Sequence, residues 1–201
     1  MTVRQLFGKR ILYFFVIDAV LVIVAVSALW SHGRIGDGGS GAGRDAGMPI
    51  IGHMKLISSA FEDNQSIPPA FTCDGRGVPP PLAWSDIPRD AKSLALTVRD
   101  PDAPSGTWTH WTLWNVAPKD AALASGDVPE GAVQGMTSTR EQGWHAPCPP
   151  FGSHRYVFTL YALDLTLPLK PDATVTDLLR VMEGHVVGEA TLTGRYQRVT
   201  R

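Results

Sequence analysis

The sequence is poor in cysteine and carries little excess charge of either sign. Two cysteines among 201 residues are too few for a disulfide-rich fold or for a zinc site built from four thiolates. The 18 Lys and Arg residues nearly balance the 19 Asp and Glu residues, and residues 51–201 alone hold 13 basic and 16 acidic side chains, a net charge of −3. Because no large basic surface is available for a phosphate backbone, no nucleic-acid partner is expected.

Prolines leave little room for helices in residues 51–201, where they recur every few residues. Long helices are therefore excluded over most of this region. Between the prolines, Leu94, Leu96 and Val98 alternate with small or polar residues, which predicts a strand. The other predicted strands are 108–116, a segment with alternating Tyr156, Phe158 and Leu160, and 190–199, which Gly194 interrupts.

One short helix is predicted near the end of the chain. Apolar residues recur at helical spacing from Val175 to Val186, and the Thr174 hydroxyl can cap the turn that contains Asp177. The amphipathic pattern indicates that this helix packs on a sheet. Several strands with few helices predict a mainly β, largely antiparallel and sandwich-like fold.

A single long hydrophobic run occupies residues 11–30, and a glycine-rich tract follows at 31–50. Twenty apolar residues can span a bilayer, despite the cost of Asp18. Basic residues before the run predict that this end stays in the cytoplasm and that the rest of the chain is exported. We therefore expect a membrane anchor at 1–30, a flexible linker at 31–50 and a folded domain at 51–201. The alternative is a cleaved signal peptide, since Val26-Ser27-Ala28 resembles a cleavage site and cleavage would secrete the domain.

Two acidic residues and a histidine follow the first predicted strand. Asp100-Pro101-Asp102-Ala103-Pro104 is a stiff loop, because each proline holds the residue before it in an extended conformation. In the next strand, alternation predicts that Trp108, His110, Thr112 and Trp114 share one face. A simpler interpretation remains for each part: an Asx turn for one carboxylate, and core positions for the histidine and for Trp111 and Trp114.

A second histidine begins a later strand. His154 and Tyr156 share a face just after the rigid turn of Cys148, Pro149, Pro150 and Gly152. If these strands are neighbours, two imidazoles, two carboxylates and a phenol form a pocket suited to a small oxyanion.

The order of these motifs resembles the phosphatidylethanolamine-binding protein family, in particular its bacterial Raf kinase inhibitor-like branch. The resemblance rests on DPDAP, then W-x-H-W, then CPP-x-G-x-HRY-x-F-x-LYALD, and extends from about Lys55 to Arg198. It implies two antiparallel sheets with a few short helices, and a small cavity for phosphate-like head groups. The residues that it implies as cavity lining are Asp100, Asp102, Trp108, His110, Pro149, Pro150, His154 and Tyr156.

The sequence departs from the family pattern just before the CPP motif. Two glycines that are usual in bacterial relatives are replaced by His145 and Ala146, so the cavity mouth is either narrower or gains a third imidazole. Arg140, in the preceding loop, is a possible extra anion ligand. Cys73 and Cys148 lie in family motifs, and export would permit them to pair, the alternative being two buried thiols.

These observations favour a non-enzymatic binding domain displayed outside the cytoplasmic membrane. Its expected ligand is a phosphate-containing small molecule or a lipid head group, and family members have been linked with kinase and protease inhibition, so a protein target is a further expectation. No metal, cofactor or catalytic residue is expected. The alternatives are a hydrolase that uses the same Asp and His residues through a metal or acid–base chemistry, and a structural domain whose pocket is vestigial.

Overall fold

The computed structural model of the chain describes residues 52–199, so the predicted anchor at 1–30 and linker at 31–50 lie outside the described residues. Within 52–199, no helix combines the length and hydropathy needed to cross a bilayer. This part of the chain contains nine strands, one α-helix (α1, Val175–Met182) and a 3-10 turn (Pro69–Phe71). The strands are β1 (Gly52–His53), β2 (Lys55–Ile57), β3 (Leu82–Ser85), β4 (Ser93–Asp100), β5 (Trp108–Val116), β6 (Ala121–Leu123), β7 (Val133–Gln134), β8 (Ser153–Leu163) and β9 (Val186–Gln197).

The strands form two sheets, which confirms the prediction of a mainly β, two-sheet fold. The larger sheet has the order β1-β9-β8-β4-β5-β7, and the smaller sheet has the order β2-β3-β6. Neighbouring strands of the described residues run antiparallel, except that β1 lies parallel to β9. The four long strands, β4, β5, β8 and β9, are those that the sequence predicts.

Each face of the larger sheet is covered by a different layer. We call the face toward the smaller sheet the front face, where Val98 and Phe158 pack in one core cluster with Trp84 of β3. On the opposite or back face, Trp114 and Leu163 pack in a second cluster with residues of α1. This packing confirms that the amphipathic helix lies on a sheet, and alternation along a strand sends successive side chains to different clusters.

The helix begins where the sequence predicts and ends earlier. Thr174 caps α1 through a reciprocal capping box, in which its side chain accepts from the backbone N–H of Asp177 and the Asp177 carboxylate accepts from the N–H of Thr174. The helix stops at Met182, because the chain turns at Gly184 with a φ of 79° and enters β9 at Val186.

The prediction that Gly194 interrupts the last strand is wrong. Strand β9 runs through Gly194, which pairs with Tyr156 of β8. A Cβ atom at this position would clash with the Ile67 and Phe61 side chains, which lie against the strand. Glycine is therefore required here by close packing rather than by a break in the strand.

Candidate functional site

A cavity of about 220 Å³ lies beside the C-terminal end of β4 and the beginning of β8. Seven of the eight residues implied as lining come together there, together with His145. The residues that line the cavity are Asp100, Ala103, Pro104, Ser105, Trp108, His110, His145, Cys148, Pro149, Pro150, His154 and Tyr156. None of them is a lysine or an arginine, so the side-chain donors among the lining residues are imidazole, indole and hydroxyl groups.

A β-bulge directs His110 into this cavity. In the pairing of β4 with β5, Val98 lies opposite Trp111 and Arg99 lies opposite Thr109, so His110 is an extra residue without a partner on β4. The bulge changes the alternation, and the predicted shared face of Trp108, His110, Thr112 and Trp114 is wrong. Trp111 packs in the front core and Trp114 in the back core, both completely buried.

The best-defined polar contact in the cavity joins Asp100 and His154. His154 Nδ1 lies 2.7 Å from Asp100 Oδ2, and both residues are only 3% exposed. Because a carboxylate can only accept hydrogen bonds, the proton of this bond lies on Nδ1 of His154. The other ring nitrogen, Nε2, therefore remains available to bind a ligand. Asp100 Oδ1 accepts from the backbone N–H of Asp102 at 2.8 Å, so this carboxylate also closes an Asx turn.

The second cavity imidazole is held by a backbone carbonyl. His110 Nδ1 lies 2.7 Å from the carbonyl oxygen of His145, and therefore donates to it. Burial lowers the pKa of His110 to about 4, although the bond to the His145 carbonyl acts in the opposite direction. At neutral pH the ring is uncharged, with a proton on Nδ1 and an acceptor lone pair on Nε2.

Tyr156 supplies a hydroxyl without a hydrogen-bond partner among residues 52–199. Its side chain is completely buried, its ring packs edge-on against His110 with centroids 5.1 Å apart, and its hydroxyl makes no hydrogen bond within residues 52–199. Burial, followed by the nearby Asp100 carboxylate, raises the pKa of Tyr156 above its usual range, so the hydroxyl stays protonated. A buried hydroxyl without a partner is rare and costly in folded proteins.

Two sequence-predicted site residues lie outside the cavity lining. Asp102 is held by Arg155, whose Nε and Nη2 donate to it at 2.9 and 2.6 Å and whose backbone N–H donates at 2.9 Å. This contact lowers the pKa of Asp102 to about 2. Arg140 is exposed in a turn with a φ of 64°, and it is not among the residues that line the cavity. Asp102 therefore braces the loop after β4, while Asp100 lies in the pocket wall.

The replacement of two glycines adds a side chain to the cavity wall. His145 lines the cavity, and its ring centroid lies 5.7 Å from that of His110. Ala146 is not among the lining residues, and its methyl group packs next to Gly77, 3.3 Å from where a Cβ atom on that glycine would lie. Neither replacement has a positive φ, while Gly143 nearby does, at 96°. The backbone therefore accepts side chains at 145 and 146 without strain.

The Cys148 side of the cavity is tied to a distant loop. Cys73 and Cys148 form a disulfide, with their Cα atoms 5.3 Å apart, and the backbone N–H of Cys73 donates to the Pro147 carbonyl. Phe151, 66% exposed, stands beside this wall with its ring edge-on to that of His154. Within residues 52–199, no group of three or more His, Cys, Asp and Glu side chains is arranged to hold a metal ion.

Sequence reasoning missed three uncharged lining residues. Ala103, Pro104 and Ser105 continue the acidic loop and complete one wall. The available signal was their position in the short loop between two predicted lining residues, Asp100 and Trp108.

Comparisons with known proteins agree with this architecture. A family model described as phosphatidylethanolamine-binding protein matches residues 57–197. A UPF0098 protein of Methanothermobacter thermautotrophicus is 49% identical over 150 residues, covering 72% of this chain and 99% of its own length. Among solved structures, the phosphatidylethanolamine-binding protein homologue CT736 of Chlamydia trachomatis is 42% identical with a TM-score of 0.71, over 74% of this chain and 99% of that one. E. coli YbcL, described as a member of the mammalian PEBP family, is 27% identical with a TM-score of 0.68, over 73% and 99% of the two chains.

Proposed function

This chain belongs to the phosphatidylethanolamine-binding protein family, and from that premise we propose that its cavity binds a phosphate group without catalysing a reaction. The phosphate is that of a small molecule or of a phospholipid head group. In this proposal the domain is a binding module, and a protein that it regulates would bind to the loops around the cavity mouth.

The observation that carries the proposal is the unpartnered hydroxyl of Tyr156. It is a protonated, fully buried donor in the lining of a cavity, and a phosphate oxygen would supply the acceptor that the described residues do not. A nonpolar ligand would leave this group unsatisfied, which costs about 1 to 3 kcal/mol.

The two histidines would take different parts in binding. Asp100 fixes the proton on Nδ1 of His154, and when His154 is protonated its Nε2–H donates to a phosphate oxygen. Uncharged His110 presents a lone pair, which accepts from a P–OH group or from the ammonium of an ethanolamine head group. Together these groups favour a monoprotonated or amine-bearing phosphate ester over a bare dianion.

Calorimetric titration of the full chain with phosphate, phosphoethanolamine and phosphatidylethanolamine vesicles, each with and without a chelator, tests this function. We expect saturable, chelator-independent heat, with binding weakened about 10- to 100-fold by His154→Ala or Tyr156→Phe, the range for a lost hydrogen bond to a charged group. His185→Ala is the matched control, because His185 forms an equivalent pair with Asp164 (Nδ1 to Oδ1, 2.8 Å) away from the cavity. Heat that the chelator abolishes, or an equal loss in the control, would contradict the proposal.

One observation favours a second candidate, an acid–base hydrolase. The Asp100–His154 pair has the arrangement of a base and its orienting carboxylate, and Ser105 lies in the lining of the same cavity. The structure shows no hydrogen bond between Ser105 and His154 within residues 52–199. Hydrolysis of p-nitrophenyl acetate or phosphate that is lost in both Ser105→Ala and His154→Ala would replace the binding module with this enzyme.

We also propose that the domain is displayed outside the cytoplasmic membrane through residues 11–30. The support is their length and hydropathy together with the basic residues that precede them. A reporter that is active only after export, fused after residue 50, is expected to be active in cells, and to lose that activity when the run is deleted. An active reporter without the run would refute the proposal.

A further inference from the structure

A second cavity, of about 210 Å³, lies on the back face of the larger sheet. Residues Val98 and Phe158 face the front core, so their neighbours Arg99, Val157 and Thr159 face the other side. The helix α1 covers only part of this back face, where Trp114 and Leu163 pack against it. Beyond the helix the face becomes polar, and the cavity opens there.

Arg99 is the charged residue among those that line this back cavity, and it forms no ion pair within residues 52–199. Within residues 52–199 no carboxylate lies within ion-pair distance of its guanidinium, and its Nε is buried without a hydrogen-bond partner. Arg155 shows the usual arrangement, with two bonds to Asp102. A partly buried arginine that lacks acceptors is suited to an anion from outside the chain.

Several of the other residues that line this cavity carry hydroxyl groups. Thr97 and Thr159 pair directly across β4 and β8, and Arg99 pairs with Val157 on the next rung of the same face. Tyr161 completes the wall; burial and the carboxylate of Glu189 raise its pKa, while the Thr159 and Thr97 hydroxyls lower it. These groups therefore lie close enough to act on one small ligand.

We propose that the back cavity binds a small carboxylate with a short apolar substituent. The planar guanidinium of Arg99 matches the two oxygens of a carboxylate, and the threonine hydroxyls can donate to the same oxygens. The apolar part would lie against Val157 and Pro101. Glu189 faces the same side from β9, opposite Tyr161, and its negative charge disfavours a phosphate dianion relative to a monoanion.

Calorimetric titration of the full chain with butyrate at neutral pH, and with inorganic phosphate for comparison, tests this site. We expect saturable binding of butyrate that Arg99→Gln weakens about 10-fold or more, the loss typical of charge-assisted hydrogen bonds. Arg89→Gln is the matched control, because Arg89 is exposed and lines neither cavity. Thr159→Val, which keeps the side-chain shape, is expected to weaken binding several-fold and serves as the second variant if Arg99→Gln does not fold.

The front cavity provides the decisive comparison. Butyrate binding that survives His154→Ala and is lost with Arg99→Gln supports the back site, whether or not the front cavity binds phosphate. The proposal would be overturned if butyrate did not bind, if its binding were lost with His154→Ala, or if neither back-site variant, Arg99→Gln or Thr159→Val, affected its binding. Phosphate that binds more tightly than butyrate in an Arg99-dependent manner would overturn its commitment to a carboxylate.

Discussion

Acidification is expected to destabilise the domain through His110 before it protonates most carboxylates. Burial holds this ring uncharged in the folded protein and, against the opposing effect of the bond to the His145 carbonyl, lowers its pKa to about 4 from an ordinary value of 6.5. The unfolded chain has no such environment, so its His110 takes up a proton near pH 6.5. Between pH 6.5 and 4 the unfolded state therefore binds more protons than the folded state, and the free energy of unfolding falls as the pH falls.

The magnitude follows from the difference between the two pKa values. A difference of about 2.5 units, at about 1.36 kcal/mol for each unit, gives a loss of about 3 kcal/mol between pH 7 and 4 from this residue alone. Asp102 acts in a different window. Arg155 lowers its pKa to about 2 from 3.8, so the stability that this carboxylate contributes is lost only below about pH 4.

Urea denaturation of the full chain at several pH values between 7 and 4 measures this effect. His110→Gln keeps a donor for the His145 carbonyl but does not titrate, so the variant is expected to lose most of the slope of stability against pH in this window. His185→Gln is the control, because His185 is exposed and removing it should leave the slope due to His110 in place. An unchanged slope in His110→Gln would refute the assignment of the acid sensitivity to this residue.

Three further changes probe the fold around the site. Removing the disulfide with Cys73→Ser and Cys148→Ser is expected to lower the free energy of unfolding by up to about 4.5 kcal/mol, because the bond closes a loop across 75 residues of sequence separation. Equal urea midpoints for the original protein and the double variant under oxidising conditions would contradict this prediction. Gly194→Ala is expected to cost about 1 to 3 kcal/mol in the same assay, since the new methyl group overlaps Ile67 and Phe61, and a loss below 0.5 kcal/mol would show that the contact yields. Thr174→Ala is expected to cost about 1 kcal/mol by removing the helix cap, and thermal unfolding at an unchanged midpoint would rule out that contribution.

The long elements of the fold could be predicted from sequence because each carries its own periodic signal. Strands β4, β5, β8 and β9 have enough residues for alternation to be recognised, and α1 has its cap. The smaller sheet gave no such signal, since β2, β3 and β6 have only three or four residues each. These strands exist through pairing with one another and packing of Trp84 and Leu56 against the larger sheet, a tertiary effect that local sequence does not report.

The front cavity could be predicted from sequence because its polar residues lie in short motifs. The separate roles of Asp100 and Asp102 could not be predicted in this way. Asp100 and Asp102 are equivalent in sequence, both acidic and both next to a proline. The difference arises from β8, which places His154 beside the first carboxylate and Arg155 beside the second. Adjacent residues of one strand thereby assign one acid to the pocket and the other to bracing the loop.

Strict alternation along β5 fails at the bulge around His110, and that bulge determines which tryptophan each face of the sheet presents. With regular pairing through β5, a single face would carry Trp108, His110, Thr112 and Trp114. The extra residue at His110 instead places Trp111 in the front core and Trp114 in the back core, the reverse of the faces that strict alternation would give them. Strand β4 alternates normally across the same region and presents Asp100 to the front cavity and Arg99 to the back one. A bulge is fixed by the partner strand and by packing on both faces, which is why a pattern confined to one strand could not reveal it.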